Sequence, residues 1–361
     1  MKSMNQFHAR QLFCWHAFLQ SSPLLGYEDL VEKVITVSSG LPLSLKLFGA
    51  QLYDCFNKDL WEEVLKKISR ILSNDIINRL KVSYDALDNE EKQMFLDVAC
   101  FFIGKDKTTA IAVWEGSSWS AQWGWKSLVN KCLVEVDNEN KIRMHDHLRD
   151  LGREIARTLS LYRLWSPNQF TDIDRQEKVR GMILNAANND VHKFPGSLWN
   201  TSLWFCGFKI AKRPFCNELR VFVLGENYEN YLNIIKSSRE LAWLSCTIIA
   251  HRNLPSWMPL KNLRVLELYD CYKIVGLWKD GVEVQAPVQL RVLIISSCNK
   301  LERIPKSIGY LKNLKRISLS SCNVKRLPEE FCRLQSLEHL QLRECEWLTV
   351  LPTSFGHLTG L

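Results

Sequence analysis

Apolar residues follow two different rules along this chain. Through the first 160 residues they recur three and four apart, as on one face of a helix; Leu30, Val31, Val34 and Val37 are a clear run. From residue 260 the rule becomes L-x-x-L-x-L-x-x-C. It is written four times: LKNLRVLELYDCYKI (260–274), LRVLIISSCNKLERIP (290–305), LKNLKRISLSSCNVKRLP (311–328) and LQSLEHLQLRECEWLTVLP (334–352). Isoleucine replaces a leucine in two copies. Cys298, Cys322 and Cys345 lie 24 and 23 residues apart, and Pro305, Pro328 and Pro352 lie 23 and 24 apart. The 27 residues from Cys271 to Cys298 predict an insertion around Lys279–Ala286. ELRVFVL (218–224) and ELAWL (240–244) read as weaker copies.

A period of this size marks a solenoid, in which each turn buries its leucines against the next. The pattern resembles the leucine-rich repeat. Alternation within Leu314-x-x-Ile317-x-Leu319 predicts a strand with Ile317 and Leu319 inward. The side chains between them should line the concave face of a parallel sheet running from about residue 200. Those residues are Glu267, Tyr269, Ile294, Ser296, Arg316, Ser318, His339, Gln341 and Arg343, the candidates for ligand or intramolecular contact. Cysteine at the repeat position satisfies backbone groups where the chain leaves the strand. A zinc site there is disfavoured, because stacking makes a column and not a tetrahedron. HLTGL (357–361) starts a further repeat, so the sequence reads as broken off inside the solenoid.

In the first half, Gly40 suits a left-handed helix end and Pro42 the first turn of the next helix. Asp88 reads as an N-cap, with Glu90 and Glu91 in the positive first turn. Leu128–Val136 ends in strand formers, DNEN (137–140) reads as a turn, and KIRM returns. Helices followed by a hairpin describe a winged helix. Trp114, Trp119, Trp123 and Trp125 read mainly as core or interface packing. The expected architecture is an α-helical module (1–74), a winged helix (75–160), then a connector and α/β repeat solenoid (161–361).

KIRMHDHLRDLGREIAR (141–157) places His145, Asp146 and His147 where hairpin meets helix. Two readings stay open: Asp146 as a helix cap beside two histidines, or an anion contact through His145 and free helix N–H groups. A metal site fits worse, since His145 and His147 diverge on a helix and no Cys or Glu lies at ligand spacing.

Charge narrows the partners. Residues 1–160 hold 20 Lys+Arg against 21 Asp+Glu, and the remainder 27 against 18. The winged segment thus lacks the basic face that nucleic acid requires, so a winged-helix nucleic-acid binder is the weaker alternative. No apolar run reaches membrane-span length, and no secretory leader is seen among the first residues. The twelve cysteines read as free thiols in a reducing compartment. No Cys–His or Ser–His–Asp spacing argues for an enzyme.

Taken in order, GLPLSL (40–45), FLDVACFF (95–102) and MHDHLRDLGREIAR (144–157), followed by the repeats, resemble plant nucleotide-binding leucine-rich-repeat (NB-ARC/LRR) immune receptors. FLDVACFF is similar to the form in the branch that begins with a Toll/interleukin-1-receptor domain. The resemblance implies a defence-signalling switch held off by bound ADP, with ADP/ATP as the cofactor of the full-length family. It implies Pro42 near the adenine, His145 at the phosphate and Asp146 supporting the loop. It also implies a pathogen effector or host guard protein as partner, contact with a nucleotide-binding module, and residence in cytoplasm or nucleus. Ser44 and His147 depart from the usual alanine and leucine. No G-x-x-x-x-G-K-[ST] occurs in these 361 residues, so weak or absent nucleotide binding is expected of them. A leucine-rich scaffold without nucleotide sensing is the alternative, though it leaves the three motifs unexplained.

Overall fold

The computed structural model describes residues 4–38, 40–55, 57–69, 76–159, 163–164, 180–184, 221–224, 238–247, 249, 251–255, 258, 260–278 and 286–361. They form two compact units. One takes the chain up to Lys107 and again Trp119–Leu159; the other takes Thr108–Ser118 and what is described after Leu159. The expected boundaries at 74/75 and 160/161, and most of the insertion around Lys279–Ala286, lie outside the described residues.

The first unit opens with α1 (Gln6–Phe18), α2 (Glu28–Val37), α3 (Pro42–Gln51), α4 (Lys58–Ser69) and α5 (Ile76–Asp85). Gly40 has φ +64° and Pro42 begins α3, as the sequence required. Trp61 is fully buried, with Phe18 stacked on it at 5.5 Å and its Nε1–H donated to the Cys55 carbonyl at 2.8 Å. That bond satisfies the polar end of a ring that otherwise contributes apolar area.

Asp88 caps α6 (Asn89–Asp97) in a full capping box. Its carboxylate accepts from Glu91 N–H at 2.8 Å, and Glu91 accepts from Asp88 N–H at 3.1 Å. The helix then widens into a π turn, Val98–Phe102, entirely buried. After α7 (Lys107–Glu115) and α8 (Ala121–Asn130) comes the hairpin β1 (Glu135–Val136) and β2 (Ile142–Arg143). The strands are shorter than expected, because Leu128–Asn130 continue α8. Asp137 closes the turn: its carboxylate accepts from the N–H groups of Glu139 (3.0 Å) and Lys141 (2.9 Å) and from Arg143 Nε (2.8 Å). Of the four tryptophans, Trp114 and Trp125 are buried, whereas Trp123 is 68% exposed and takes no part in the core.

Among the described residues the second unit carries an eight-stranded parallel sheet in sequential order. Its strands are β3 (Arg163–Leu164), β4 (Gly181–Leu184), β5 (Val221–Leu224), β6 (Trp243–Thr247), β7 (Val265–Tyr269), β8 (Val292–Ser296), β9 (Arg316–Ser320) and β10 (His339–Arg343). The described part of the weak copy at 218–224 is β5, and the copy at 240–244 runs into β6. Strands β3 and β4 lie before the expected start of the sheet. Leu266, Leu268, Leu293, Ile295, Ile317 and Leu319 are 0–1% exposed, which places the expected register. Each such side chain contributes roughly 1.5–3 kcal/mol by leaving water. Pro305 and Pro328 start 3-10 turns on the return side.

The repeat cysteines work as the spacing suggested. Cys271 Sγ accepts from Ile249 N–H and donates to the Tyr269 carbonyl, at 3.4 and 3.3 Å. Cys322 and Cys345 donate to the carbonyls of Ser320 (3.2 Å) and Arg343 (3.4 Å). All four repeat cysteines are free thiols. The residue before each of them, Asp270, Ser297, Ser321 and Glu344, sits at φ +50° to +56°. A glycine-like conformation held by non-glycine residues recurs after each of β7, β8, β9 and β10.

Candidate functional site

The hairpin-to-helix joint is built by capping. Helix α9 (Asp146–Thr158) begins after His145, whose Nδ1 accepts from the His147 N–H at 3.2 Å. The cap is therefore His145 and not Asp146. Asp146 is the first helical residue; its carboxylate is exposed and pairs with Arg149 Nη1 at 2.7 Å. The expected cap fails because its place in the first turn aims the Asp146 side chain outward, and the imidazole reaches the free N–H first. The His145 and His147 rings stack with centroids 5.2 Å apart. Burial, then the neighbouring His147, holds His145 below the usual imidazole range; Asp146 and Glu135 oppose this. A neutral ring whose Nδ1 accepts must carry its proton on Nε2, so His145 offers a donor there.

Pro42 starts the helix that reaches this neighbourhood. Lys46, one turn on, bridges Glu135 on β1 at 2.7 Å, and both charges act on His145. His16 on α1 lies beside them, with Cys132 Sγ 3.6 Å from its Nδ1. Burial and then Lys46 hold His16 down as well. The sequence reading missed Lys46, Glu135 and His16. The one available hint was Lys46, a cation on the face one turn after Pro42. Among the described residues no group of His, Cys, Asp and Glu could hold a metal ion.

On the sheet, register brings the nine expected residues to one face. Glu267, Ile294, Ser318 and Gln341 form one row; Arg316 and His339 align with Val265 and Val292; Tyr269 and Ser296 align with Ser320 and Arg343. The face is uneven, however. Glu267 (1%) and Ser318 (7%) are buried, whereas His339 and Arg343 are exposed. Tyr269 donates its hydroxyl to Glu267 at 3.3 Å, and its own ionisation is pushed far up by burial and that carboxylate. With its amide nitrogen toward the Ser318 hydroxyl (3.2 Å), Gln341 accepts from Arg343 Nε at 2.7 Å. A groove of about 590 Å³ follows β10, lined by Arg316, Glu338, His339, Gln341 and the apolar Leu351 and Phe355. Trp243, Val265 and Val292, buried on this same face, were not foreseen.

A capped winged helix and a sequential parallel solenoid define the class: a winged-helix, leucine-rich-repeat chain. Residues 88–160 match the family model of the winged-helix domain of Roq1-like disease resistance proteins, and 238–361 match a leucine-rich repeat region. The chain is 26% identical to TMV resistance protein N of Nicotiana glutinosa over 376 aligned residues, 96% of this chain and 31% of that protein. It is 39% identical to disease resistance protein RUN1 of Vitis rotundifolia over 157 residues, 44% of this chain and 12% of that one. Against RPP2B of Arabidopsis thaliana it is 28% identical over 332 residues, 88% and 26% of the two chains. Among solved structures, the leucine-rich repeat domain of the type III effector XopL aligns with TM-score 0.33 and 17% identity, over 78% of this chain and 75% of that one. The relatives are plant disease resistance proteins of the Toll/interleukin-1-receptor, nucleotide-binding, leucine-rich-repeat type, and this chain corresponds to a part of them. It spans under a third of the length of these three. No helix among the described residues is long and apolar enough to cross a membrane.

Proposed function

We propose that this chain is the switch-lid and sensing part of an intracellular plant immune receptor. In this reading the helical and winged modules close over ADP in the off state, and the repeats recognise an effector or a guarded host protein. The observation that carries it is the neighbourhood of the Met-His-Asp joint. The helix begun by Pro42 sends Lys46 to Glu135, and the same charges surround a His145 with its Nε2–H donor available. Such a donor suits a phosphate oxygen. ADP is met only in part by these residues, because Lys46 is already paired and His145 is uncharged at neutral pH. Asp146, paired with Arg149, would stiffen the joint without touching the nucleotide. The reading assigns no catalysis to these 361 residues and needs no membrane or nucleic acid.

Magnitudes give the test. A contact at a helix start is worth roughly 0.3–1 kcal/mol, up to ~2 when partly buried, whereas micromolar binding needs about 8. Titration calorimetry of ADP into the chain alone should show weak or no binding. Placed behind the phosphate-binding module of a relative, the chain should close over ADP, and His145→Ala should weaken binding about five- to thirty-fold, the ratio that ~1–2 kcal/mol gives. Asp146→Val in the same chimera should speed ADP release. Micromolar ADP binding by the chain alone would sink the partial-site reading; no effect of His145→Ala in the chimera would sink the role of the joint.

A further inference from the structure

One column of the repeat sheet carries a charge pattern that its own unit leaves incompletely neutralised. Just before strands β7, β8, β9 and β10 stand Arg264, Arg291, Lys315 and Glu338. Their backbones are stitched in line: Arg291 N–H donates to the Arg264 carbonyl, Lys315 N–H to that of Arg291, and Glu338 N–H to that of Lys315, each at 2.8 Å. Successive cations therefore sit about one strand spacing, ~4.8 Å, apart along the backbone. Like charges at that separation repel and call for an anion. Lys315 has one in Glu338, at 2.7 Å.

The two arginines have another. Thr108–Ser118 clusters with the repeats, although the winged-helix family match spans it. Glu115 forms an ion pair with Arg291 Nη1. Gly116 rests on Arg264 so closely that a Cβ there would lie 2.6 Å from Arg264 Nε. Burial, and then the adjacent Arg291, draw Arg264 below the usual guanidinium range, with Glu115 opposing. Among the described residues one carboxylate thus answers two guanidiniums, and the buried Arg291 Nε makes no hydrogen bond. Beside the column lie Trp243 (0%), Val265 (0%) and Val292 (1%).

We propose that Arg264, Arg291 and Lys315 form a docking site for an acidic peptide segment of a protein partner, and that Glu115 occupies this site in the present structure. Partner binding and the seating of 108–118 are then alternatives. Guanidiniums take carboxylates through two parallel bonds, and Arg291 keeps a donor in reserve. The apolar side chains next to the column are buried, so recognition rests on the peptide's carboxylates. Glu338 at one end and the buried Glu267 one row away disfavour a continuous phosphodiester. This inference rests on reading the repeats as a recognition surface. It does not rest on nucleotide, and the ADP titration is blind to Arg291, so the two can fail separately.

The test uses a fluorescent decapeptide of alternating Glu and Leu, read by anisotropy against the full 361-residue chain and its variants. Glu115→Gln should tighten binding about five-fold, near the ceiling of a solvent-accessible ion pair. Arg291→Glu should weaken it at least ten-fold. Arg291→Lys, which keeps the charge, should lose less, and it stands as the folded comparison if the reversal destabilises the sheet. Saturating peptide should also speed amide exchange within 108–118. The proposal is overturned by equal affinities of the wild type and Glu115→Gln, by no binding to Glu115→Gln, or by unchanged exchange at saturation. Binding of duplex RNA with the same Arg291 dependence, in the absence of peptide binding, overturns it in favour of a polyanion site.

Discussion

Protonating His145 removes the lone pair that caps α9, because the His147 N–H donates to Nδ1. The folded state therefore favours the neutral ring, in agreement with its lowered proton affinity. The unfolded chain, with an imidazole near 6.5, takes up its proton first as pH falls. The stabilisation is complete above about pH 6.5 and is lost as pH drops through that value toward the folded one. His16, held down by burial and Lys46, acts in the same direction. Melting of the first unit should fall between pH 7 and 5.5 by differential scanning fluorimetry. His145→Asn, which caps without titrating, should flatten part of that fall; an unchanged slope would deny the cap its role. The left-handed residues offer a second measurement. Glu344 at φ +50° is exposed, and glycine there relieves a strain of about 1 kcal/mol. Glu344→Gly should raise the melting temperature of the repeats less than the strain alone would, because it also loses the bond from the Ser321 hydroxyl to its carboxylate, at 2.7 Å. Ser297→Gly lacks that bond to lose and is the cleaner variant.

At the scale of elements, α9 is held by an unusual surface. Arg153 Nε donates to the carbonyl of Ala99, inside the π turn, at 3.0 Å. Gly152 lets the helix approach, since a Cβ there would fall 2.6 Å from Ala99 Cβ and 3.1 Å from Phe95. Those neighbours are backbone-anchored and buried, so Gly152→Ala should cost about 1–3 kcal/mol. Gly124→Ala, which meets only the flexible end of Met94, should cost less; denaturant melts that rank them the other way would argue against the packing of α9. The strand register gives a parallel contrast. Leu319→Asp buries an unpaired carboxylate and should cost several kcal/mol, while Ser320→Asp, on the half-open face, should change stability little. Much of this scale was legible in sequence. The Asp88 cap with its acidic first turn, Gly40 before Pro42, the 137–140 turn and the L-x-L strands depend on residues within four of one another. The π turn was not legible, because its extra residue per turn is stabilised by Arg153, 54 positions away.

For the molecule as a whole, the contact of 108–118 with the repeat sheet yields a sharper prediction. Glu115→Arg and Arg291→Glu should each increase amide exchange in 108–118, and together should restore protection; additive effects would mean that the pair does not hold the segment. What the sequence determined by itself was everything periodic: the helical face spacing, the 23–24-residue repeat, the inward leucines and the thiol at the exit of each of the last four strands. These follow from the geometry of one helix turn or one solenoid coil, and each coil repeats the same instruction. Tertiary structure alone decided which groups meet across long separations. Lys46 finds Glu135 across 89 positions and His16 finds Cys132 across 116. It also buried Glu267 and Ser318 on a face that alternation could only call outward, and gave the α9 cap to His145 over Asp146. Alternation fixes the side of a strand on which a residue lies, but exposure on that side depends on what the rest of the chain lays over it.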